Sequence, residues 1–169
     1  RHLGRGPIAA MSTRAIRYLH QQRIAFEKVE YEHLEKGAEF AALATGSPLE
    51  RTVKTLVVAI GPKRFALALV TGDRELDLKR LARALGVKKA EMADPEAAER
   101  LTGYHVGGIS PFGLRQANLP VVMDEAVLAA PEILINAGQR GTMLRVAPRD
   151  VRAALNALDK SIYPSPDSW

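Results

Sequence analysis

The sequence predicts an α/β fold, in which one compact domain has a mixed, mostly antiparallel, barrel-like sheet surrounded by short helices. A length of 169 residues suits a single domain with a real hydrophobic core. Two apolar runs, 53–60 and 65–70, flank a Gly61-Pro62 turn and predict a β-hairpin. Other strand-like runs are interspersed irregularly with short helical patterns. The lack of a G-x-G-x-x-G motif after the first strand argues against a doubly wound parallel sheet.

The first elements are predicted to be an amphipathic helix, a strand and a second helix. Ile16 and Leu19 have helical spacing within 13–22, and Ser12 or Thr13 can cap the first turn. The elements that follow are a strand over 24–31, a helix over 39–44 that Gly46 ends, and a break at Ser47-Pro48.

After the hairpin, the pattern predicts a helix that Asp77 caps and Gly86 ends. Its apolar positions Leu78, Leu81 and Leu85 follow the i, i+3, i+7 spacing of one helix face. The remaining elements are a helix from Pro95 to Gly103, strands at 120–123, 133–136 and 142–146, and a last helix from Pro148 through Leu158.

The chain is divided by these patterns into a main domain and two short ends. Residues 1–10 are predicted to be an N-terminal extension or an expression remnant, because Met11 is a plausible start. Residues 11–159 form the domain, and the tail over 160–169 is expected to be loosely held. No stretch approaches the roughly 20 apolar residues of a membrane span, so a cytoplasmic location without a membrane partner is expected.

Composition restricts the chemistry that the protein can use. The sequence contains no cysteine, which excludes disulfides, thiolate metal sites and a protein thiol nucleophile. The formal charge of +5 suits a polyanionic partner, although basic character alone is weak evidence for one. No metal and no cofactor are expected, because no recognised metal-binding spacing is formed by the four histidines, which are His2, His20, His33 and His105.

The segment 107–113 is the densest special sequence, with three glycines and one proline. Such a loop can aim backbone amides at a developing oxyanion, which would serve ester hydrolysis; a tight barrel corner is an equally good interpretation. Ser110 is not expected to be a nucleophile, because it lacks the G-x-S-x-G context and a base. The segment reads Gly107-Gly108-Ile109-Ser110-Pro111-Phe112-Gly113.

Three further features are candidates for binding. Lys54 stands at the mouth of an apolar strand and could face a cavity or a phosphate, or be an ordinary solvated strand end, with Thr55 on the opposite face. The turn 138–141 could approach a ligand or only close a hairpin. The third candidate is a basic surface around the third helix, which could bind tRNA phosphates or be an ordinary solvated helix face. It consists of Lys79-Arg80, Arg83 and Lys88-Lys89.

In combination, these motifs resemble the YbaK/EbsC family of aminoacyl-tRNA deacylases, over about 11–158. The resemblance depends on the order and spacing of the motifs rather than on any one of them, and the Gly-Gly-Ile-Ser-Pro element favours the YbaK branch. The motifs are Val53-Lys54-Thr55-Leu56, Gly86-Val87-Lys88-Lys89, Met92-Ala93-Asp94, the run from Thr102 to Gly113, and Gly138-Gln139-Arg140-Gly141.

The resemblance implies a compact α/β domain related to the editing domain of bacterial prolyl-tRNA synthetases. It implies a trans-editing hydrolase that deacylates mischarged tRNA(Pro), above all Cys-tRNA(Pro). Mischarged tRNA(Pro) is then the expected partner, with prolyl-tRNA synthetase as a candidate second partner and no DNA. The implied site consists of Lys54 and Gly108 as catalytic residues, and of Tyr31, Thr55, Gly107, Ile109, Ser110, Pro111, Gly138 and Gly141 as substrate-binding residues.

The implied chemistry needs no protein nucleophile, because the thiol of the bound cysteinyl group attacks its own ester. Lys54 would orient the terminal ribose or phosphate, Gly108 and its neighbours would polarise the ester carbonyl, and Tyr31 and Thr55 would shape the pocket. Residues near Phe26 and Met143 could change the size and polarity of that pocket. Alternatives are a deacylase for another tRNA such as Ala-tRNA(Pro), a non-catalytic tRNA- or synthetase-binding module, and a regulatory protein without a tRNA substrate.

Overall fold

Residues 12–32 and 38–163 are described by the structure, a computed structural model. The predicted extension 1–10 therefore lies outside the described residues, and so do 164–169 of the predicted tail. The strands are β1 Phe26–Glu30, β2 Val53–Gly61, β3 Arg64–Thr71, β4 Glu91–Met92, β5 Val121–Asp124, β6 Ile133–Gln139, β7 Thr142–Val146 and β8 Leu158–Lys160.

The α-helices are short, and several begin and end where the sequence predicts. Thr13 caps the first helix by accepting a hydrogen bond from the amide of Ile16, and Asp77 caps the third. Gly86 ends that third helix in the left-handed conformation, which a glycine adopts without steric cost. The helices are α1 Arg14–Gln21, α2 Ala38–Thr45, α3 Leu78–Leu85, α4 Pro95–Thr102, α5 Glu125–Ala129 and α6 Pro148–Leu155, with a 3₁₀ turn at Leu49–Arg51.

The strands form two sheets, a three-stranded sheet of order β1-β7-β6 and a five-stranded sheet of order β4-β2-β3-β5-β8. Four pairings are antiparallel and two, β3 with β5 and β5 with β8, are parallel, so the sheet system is mixed and mostly antiparallel. Among the described residues, one isolated bridge, between Thr52 and Leu134, joins the two sheets. The barrel-like arrangement is therefore not closed.

The predicted β2–β3 hairpin is confirmed, with residues paired from Val53 opposite Thr71 to Gly61 opposite Arg64. Its side chains alternate between two apolar clusters. Val57 belongs to the larger cluster, which contains residues of both sheets, whereas Val58 packs with residues of α3 on the other face. The hairpin is thus buried on both faces, which explains its nearly continuous apolar sequence.

The C-terminal end of the chain differs from the prediction. The last helix ends at Leu155, because Asn156 adopts the left-handed conformation, and Leu158–Lys160 is a strand. Residues 161–163 are also not loose: Ile162 is fully buried and its amide donates to Asp124 Oδ1 at 3.0 Å. The prediction extended this helix to Leu158 because the sequence does not reveal that the short exposed strand β8 pairs with β5.

Candidate functional site

A cavity of about 400 Å³ lies against a gap in the edge of β2. At one end of this gap Thr52 bridges Leu134, and at the other end β4 pairs with Val58 and Ala59. No described strand covers this edge of β2 between those points. The cavity volume is within the usual range of about 300 to 1,000 Å³ for small-ligand pockets.

The cavity wall is mostly apolar and comes from four parts of the chain. These are the first half of β2, the segment around β4 and the start of α4, the glycine-rich loop, and the β6–β7 hairpin with α2 and Tyr31. The lining residues are Tyr31, Ala38, Ala41, Thr52, Val53, Lys54, Thr55, Leu56, Val57, Met92, Ala93, Pro95, Ala98, Val106, Gly107, Ile109, Asn136 and Met143.

Lys54 lines the cavity and has an unusual environment. Its Nζ donates to the main-chain carbonyl of Arg74 at 2.6 Å. No carboxylate of residues 12–32 and 38–163 forms a salt bridge with it, so its charge has no ionic partner there. An ammonium has three donors, and two are left over after the bond to Arg74. Lys54 can therefore bind an anionic or polar group that enters the cavity.

Thr55 also lines the cavity, although it alternates with Lys54 along the strand. Both residues reach the cavity because this stretch of β2 has no neighbouring strand on one side, so side chains from either face can adjoin the space at that edge. The Thr55 Oγ1 atom is buried and has no hydrogen-bond partner among the described residues. A buried hydroxyl without a partner costs about 1 to 3 kcal/mol, so such an atom beside a cavity is a candidate ligand contact.

The part of the glycine-rich loop that faces the cavity is held by side chains from elsewhere. Glu99 accepts a hydrogen bond from the Val106 amide at 2.7 Å, and Arg140 donates to the Val106 carbonyl at 2.8 Å. Asn136 donates to the Gly107 carbonyl at 3.3 Å. The hydrogen bond from Val106, aided by nearby His105, holds the pKa of Glu99 below its ordinary value against the opposing effect of desolvation.

Two amides of this loop remain available. Gly107 and Ile109 line the cavity, and their N–H groups donate to no acceptor in the described part of the chain. Gly108 differs, because its amide donates to the His105 carbonyl at 2.9 Å and it does not line the cavity. Its Cα instead packs on the 138–141 turn, where an added Cβ would lie 3.1 Å from the Arg140 amide nitrogen. The two neighbours of Gly108, and not Gly108 itself, therefore have amides available beside the cavity.

The second half of the loop belongs to the core and not to the cavity wall. Ser110 is fully buried, and its Oγ accepts a hydrogen bond from the Phe112 amide at 3.3 Å. Pro111 and Phe112 are buried as well. Residues 110–113 therefore form a tight corner of the core, whereas Gly107 and Ile109 are the loop residues that a ligand in the cavity could contact.

The 138–141 turn lies behind the cavity and supports its wall. Gly141 accepts a hydrogen bond from the Tyr31 amide at 2.9 Å, and Tyr31 lines the cavity. Burial raises the pKa of the Tyr31 hydroxyl, and a hydrogen bond with the Gly141 backbone partly opposes this rise. Gly138, at φ +90°, leaves the space that the ring of Tyr104 occupies. Neither glycine lines the cavity: Gly141 contacts the lining residue Tyr31, whereas Gly138 makes room for Tyr104, which is not a lining residue.

Asn136 is a cavity residue that the sequence analysis did not single out. Its side-chain amide donates to the Gly107 carbonyl, and its Oδ1 accepts from the Gly138 amide at 2.9 Å, so it joins the two glycine segments. An asparagine inside the apolar run 133–137 is the signal that could have found it, because a buried amide requires partners. Met143 lines the cavity as expected, whereas Phe26 does not.

The predicted basic face is only partly available. Arg80 lies 3.7 Å from Asp77 and donates to Ser161, so it is used within the protein. Lys79, Arg83 and Lys88 are exposed. No group of three or more metal-ligating side chains occurs in the part of the chain that the structure describes. Among those same residues, no helix has the length and apolar character that a membrane crossing requires.

Comparison with known proteins identifies the class to which this fold and cavity belong, the aminoacyl-tRNA editing domains. The chain is 34% identical over 148 residues to EbsC of Enterococcus faecalis, a proposed Cys-tRNA(Pro)/Cys-tRNA(Cys) deacylase, covering 85% of this chain and 88% of that protein. It is 32% identical over 129 residues to the multifunctional Ser/Thr-tRNA deacylase ProXp-y of Escherichia coli, covering 74% of this chain and 76% of that one.

A solved structure gives the same result. The crystal structure of a proposed trans-editing enzyme for prolyl-tRNA synthetase superposes with a TM-score of 0.81 at 30% identity, covering 92% of this chain and 99% of that one. Residues 32–154 match the family described as the aminoacyl-tRNA editing domain, and this chain belongs to that family. The predicted resemblance to the YbaK/EbsC deacylases is confirmed.

Proposed function

We propose that this protein is a trans-editing deacylase that removes cysteine from Cys-tRNA(Pro) by hydrolysing the ester at the tRNA 3′ end. The observation that carries the proposal is the cavity at the β2 edge, where the ammonium of Lys54 without an ionic partner and the unpaired amides of Gly107 and Ile109 line one space. Family membership and the similarity to EbsC support it.

Each polar group of the cavity has a role in this proposal. Lys54 keeps two donors for the terminal ribose or phosphate of the tRNA. The amides of Gly107 and Ile109 donate to the ester carbonyl as negative charge develops on its oxygen, and one such donor is worth about 3 to 4 kcal/mol. Tyr31 and Met143 bound the space for the amino acid side chain.

The chemistry uses the substrate's own thiol as the nucleophile. The cysteinyl sulfur attacks the ester carbonyl carbon, a C–S bond forms, and the C–O bond to the ribose breaks. The thiol proton passes to the ribose oxygen, and the cyclic thioester then takes up water to give free cysteine. The protein contains no cysteine of its own, and holding the thiol in the attacking geometry is its main contribution.

The proposed preference for an aminoacyl group with a polar side chain depends on Thr55. Its buried Oγ1 has no partner within the described residues, and a thiol or hydroxyl of the substrate can supply one. An alanyl group cannot do so. A seryl group can, and one relative is named as a Ser/Thr-tRNA deacylase. A serine-specific deacylase is therefore the second candidate that the same observation favours.

The direct test is the release of labelled amino acid from Cys-, Ser-, Ala- and Pro-tRNA(Pro). We expect fast release of cysteine, slower release of serine and alanine, and no release of proline. Unchanged ester lifetimes for all four at saturating protein would contradict the proposal and favour a non-catalytic tRNA-binding module.

The role of the thiol is tested separately with S-methylcysteinyl-tRNA(Pro). Methylation removes the nucleophile while adding little volume, so this ester should survive where the cysteinyl ester is cleaved. Equal cleavage of both esters would show that water attacks directly and would remove the thiol mechanism without removing the deacylase.

A further inference from the structure

We propose that Arg74, Asp124 and Tyr163 form a positioning unit that holds the ammonium of Lys54 in place. The inference rests on the proposed function, because it concerns the residue that is assigned there to the tRNA terminus. Lys54 Nζ donates to the main-chain carbonyl of Arg74 at 2.6 Å, and this is its one hydrogen bond within the described residues. The position of the ammonium therefore depends on the position of that carbonyl.

The carbonyl belongs to the loop between β3 and α3, which is partly exposed and needs an anchor. The Arg74 side chain supplies one. Its Nη1 lies 3.4 Å from Asp124 Oδ2, and its guanidinium carbon lies 3.7 Å from the centroid of the Tyr163 ring. A guanidinium can stack on an aromatic face and bind a carboxylate at the same time, which a lysine ammonium cannot do equally well.

Asp124 is a fixed point for this anchor. It is fully buried, and its Oδ1 accepts from the Ile162 amide at 3.0 Å while its Oδ2 accepts from the Ala126 amide at 3.3 Å. A buried carboxylate with two backbone donors and one cation is held firmly, because losing any partner leaves charge without compensation.

The C-terminal segment completes the arrangement. Ile162 is fully buried, and its carbonyl accepts from the amide of Asp77, at the far end of the same loop. Gly72, near the other end, donates its amide to Thr52, two residues before Lys54. Tyr163 is therefore coupled to the cavity although it lies outside residues 32–154, which match the editing family. We infer that this segment tunes the orientation of Lys54 rather than simply closing the fold.

The matched variants are Tyr163→Ala and Tyr163→Phe. The phenylalanine keeps the ring under the guanidinium, whereas the alanine removes it. We expect Tyr163→Ala to lower kcat/KM for Cys-tRNA(Pro) about three- to tenfold, mainly through kcat, and Tyr163→Phe to stay near wild type. In a Lys54→Ala background, Tyr163→Ala should cause no further loss. An equal loss in both backgrounds would overturn the positioning role.

A measurement without tRNA separates this inference from the proposed function. The rate of labelling of Lys54 by an amine-reactive reagent, read by mass spectrometry, should rise several-fold in Tyr163→Ala and not in Tyr163→Phe, with exposed Lys88 as internal control. If Tyr163→Ala does not fold, Arg74→Lys replaces it, because it loses the stacking but keeps a charge. Unchanged labelling of Lys54 in the variant would overturn the positioning role of Arg74, Asp124 and Tyr163. If the labelling changes as expected but the wild-type protein does not cleave Cys-tRNA(Pro), only the proposed deacylase function is overturned.

Discussion

Two walls of the same cavity are built in different ways. The β2 wall carries Lys54 and Thr55 on a strand that is fixed by pairing with β3 along its whole length. The glycine-rich wall has no ladder, and its backbone is held by the side chains of Glu99, Arg140 and Asn136. The strand therefore fixes side chains that line the cavity, whereas the loop depends on side chains from elsewhere to fix its backbone amides.

The largest expected effect comes from the β2 wall. Lys54→Ala should lower kcat/KM for Cys-tRNA(Pro) by at least about 10²-fold, because misplacing the tRNA terminus by about 1 Å can cost that much. The free energy of unfolding should fall by only about 1 to 2 kcal/mol, because the variant loses one hydrogen bond, to the Arg74 carbonyl, and no ion pair among the described residues. Lys28→Ala, which removes an exposed lysine of β1 that belongs to no candidate binding surface, is the matched control. Full activity of Lys54→Ala would show that the strand wall supplies no essential cation.

The support behind the glycine-rich wall should be the next most sensitive point. Gly138→Ala would place a Cβ against the Tyr104 ring at a residue with φ +90°. We expect a loss of about 2 kcal/mol in the free energy of unfolding, from left-handed strain and overpacking together. Denaturant titration measures it.

Gly46→Ala is the control for Gly138→Ala. Gly46 has a similar φ of +73°, but nothing lies within 4 Å of an added Cβ. It should therefore show the strain alone, about 1 kcal/mol. Equal losses in the two variants would mean that the turn merely needs glycine and does not support Tyr104.

Thr55→Val tests whether the β2 wall selects between aminoacyl groups. The change keeps the shape and removes a hydroxyl that has no partner in the described structure, so the free energy of unfolding should stay equal or rise by about 1 kcal/mol. The ratio of kcat/KM for Cys- over Ala-tRNA(Pro) should fall about tenfold. A retained ratio would place the selection of the side chain elsewhere, with Met143 as the next residue to vary.

The smallest effect is expected at Glu99, an anchor of the loop wall. Its folded-state pKa is lowered, above all by the hydrogen bond from the Val106 amide. The anchor is therefore fully present above the ordinary value of 4.5 and is lost as pH falls through the lowered pKa. Glu99→Gln should lower kcat/KM only about twofold at neutral pH, because the neutral amide still accepts the hydrogen bond from Val106 but holds it less firmly than the ionised carboxylate does.

Hydrogen exchange of the Val106 amide checks this assignment. In the wild type, protection should decrease as the carboxylate titrates below pH 4.5, and in Glu99→Gln it should be weaker than in the wild type at neutral pH and independent of pH in that range. Strong protection in the variant would mean that Arg140 and Asn136 hold the loop without Glu99.

The local patterns of the sequence predicted most elements of the fold. The caps at Thr13 and Asp77, the hairpin on either side of Gly61-Pro62, and the glycine that ends α3 depend on neighbours close in sequence. The end of α6 and the strand β8 were not predicted, because β8 exists only through pairing with β5. The sequence likewise did not predict that one part of the glycine-rich loop lines the cavity while the other part belongs to the core.

Five residues that line the cavity were already indicated by the sequence by itself: Lys54, Thr55, Gly107 and Ile109 through their motifs, and Tyr31 through the family resemblance. Only the tertiary structure decided that the Gly108 amide is used by the loop itself and that Asn136 joins both glycine segments. It also decided that Arg74 holds Lys54. The physical reason is that a hydrogen bond between residues distant in sequence depends on where the chain folds back, and no local pattern records that distance.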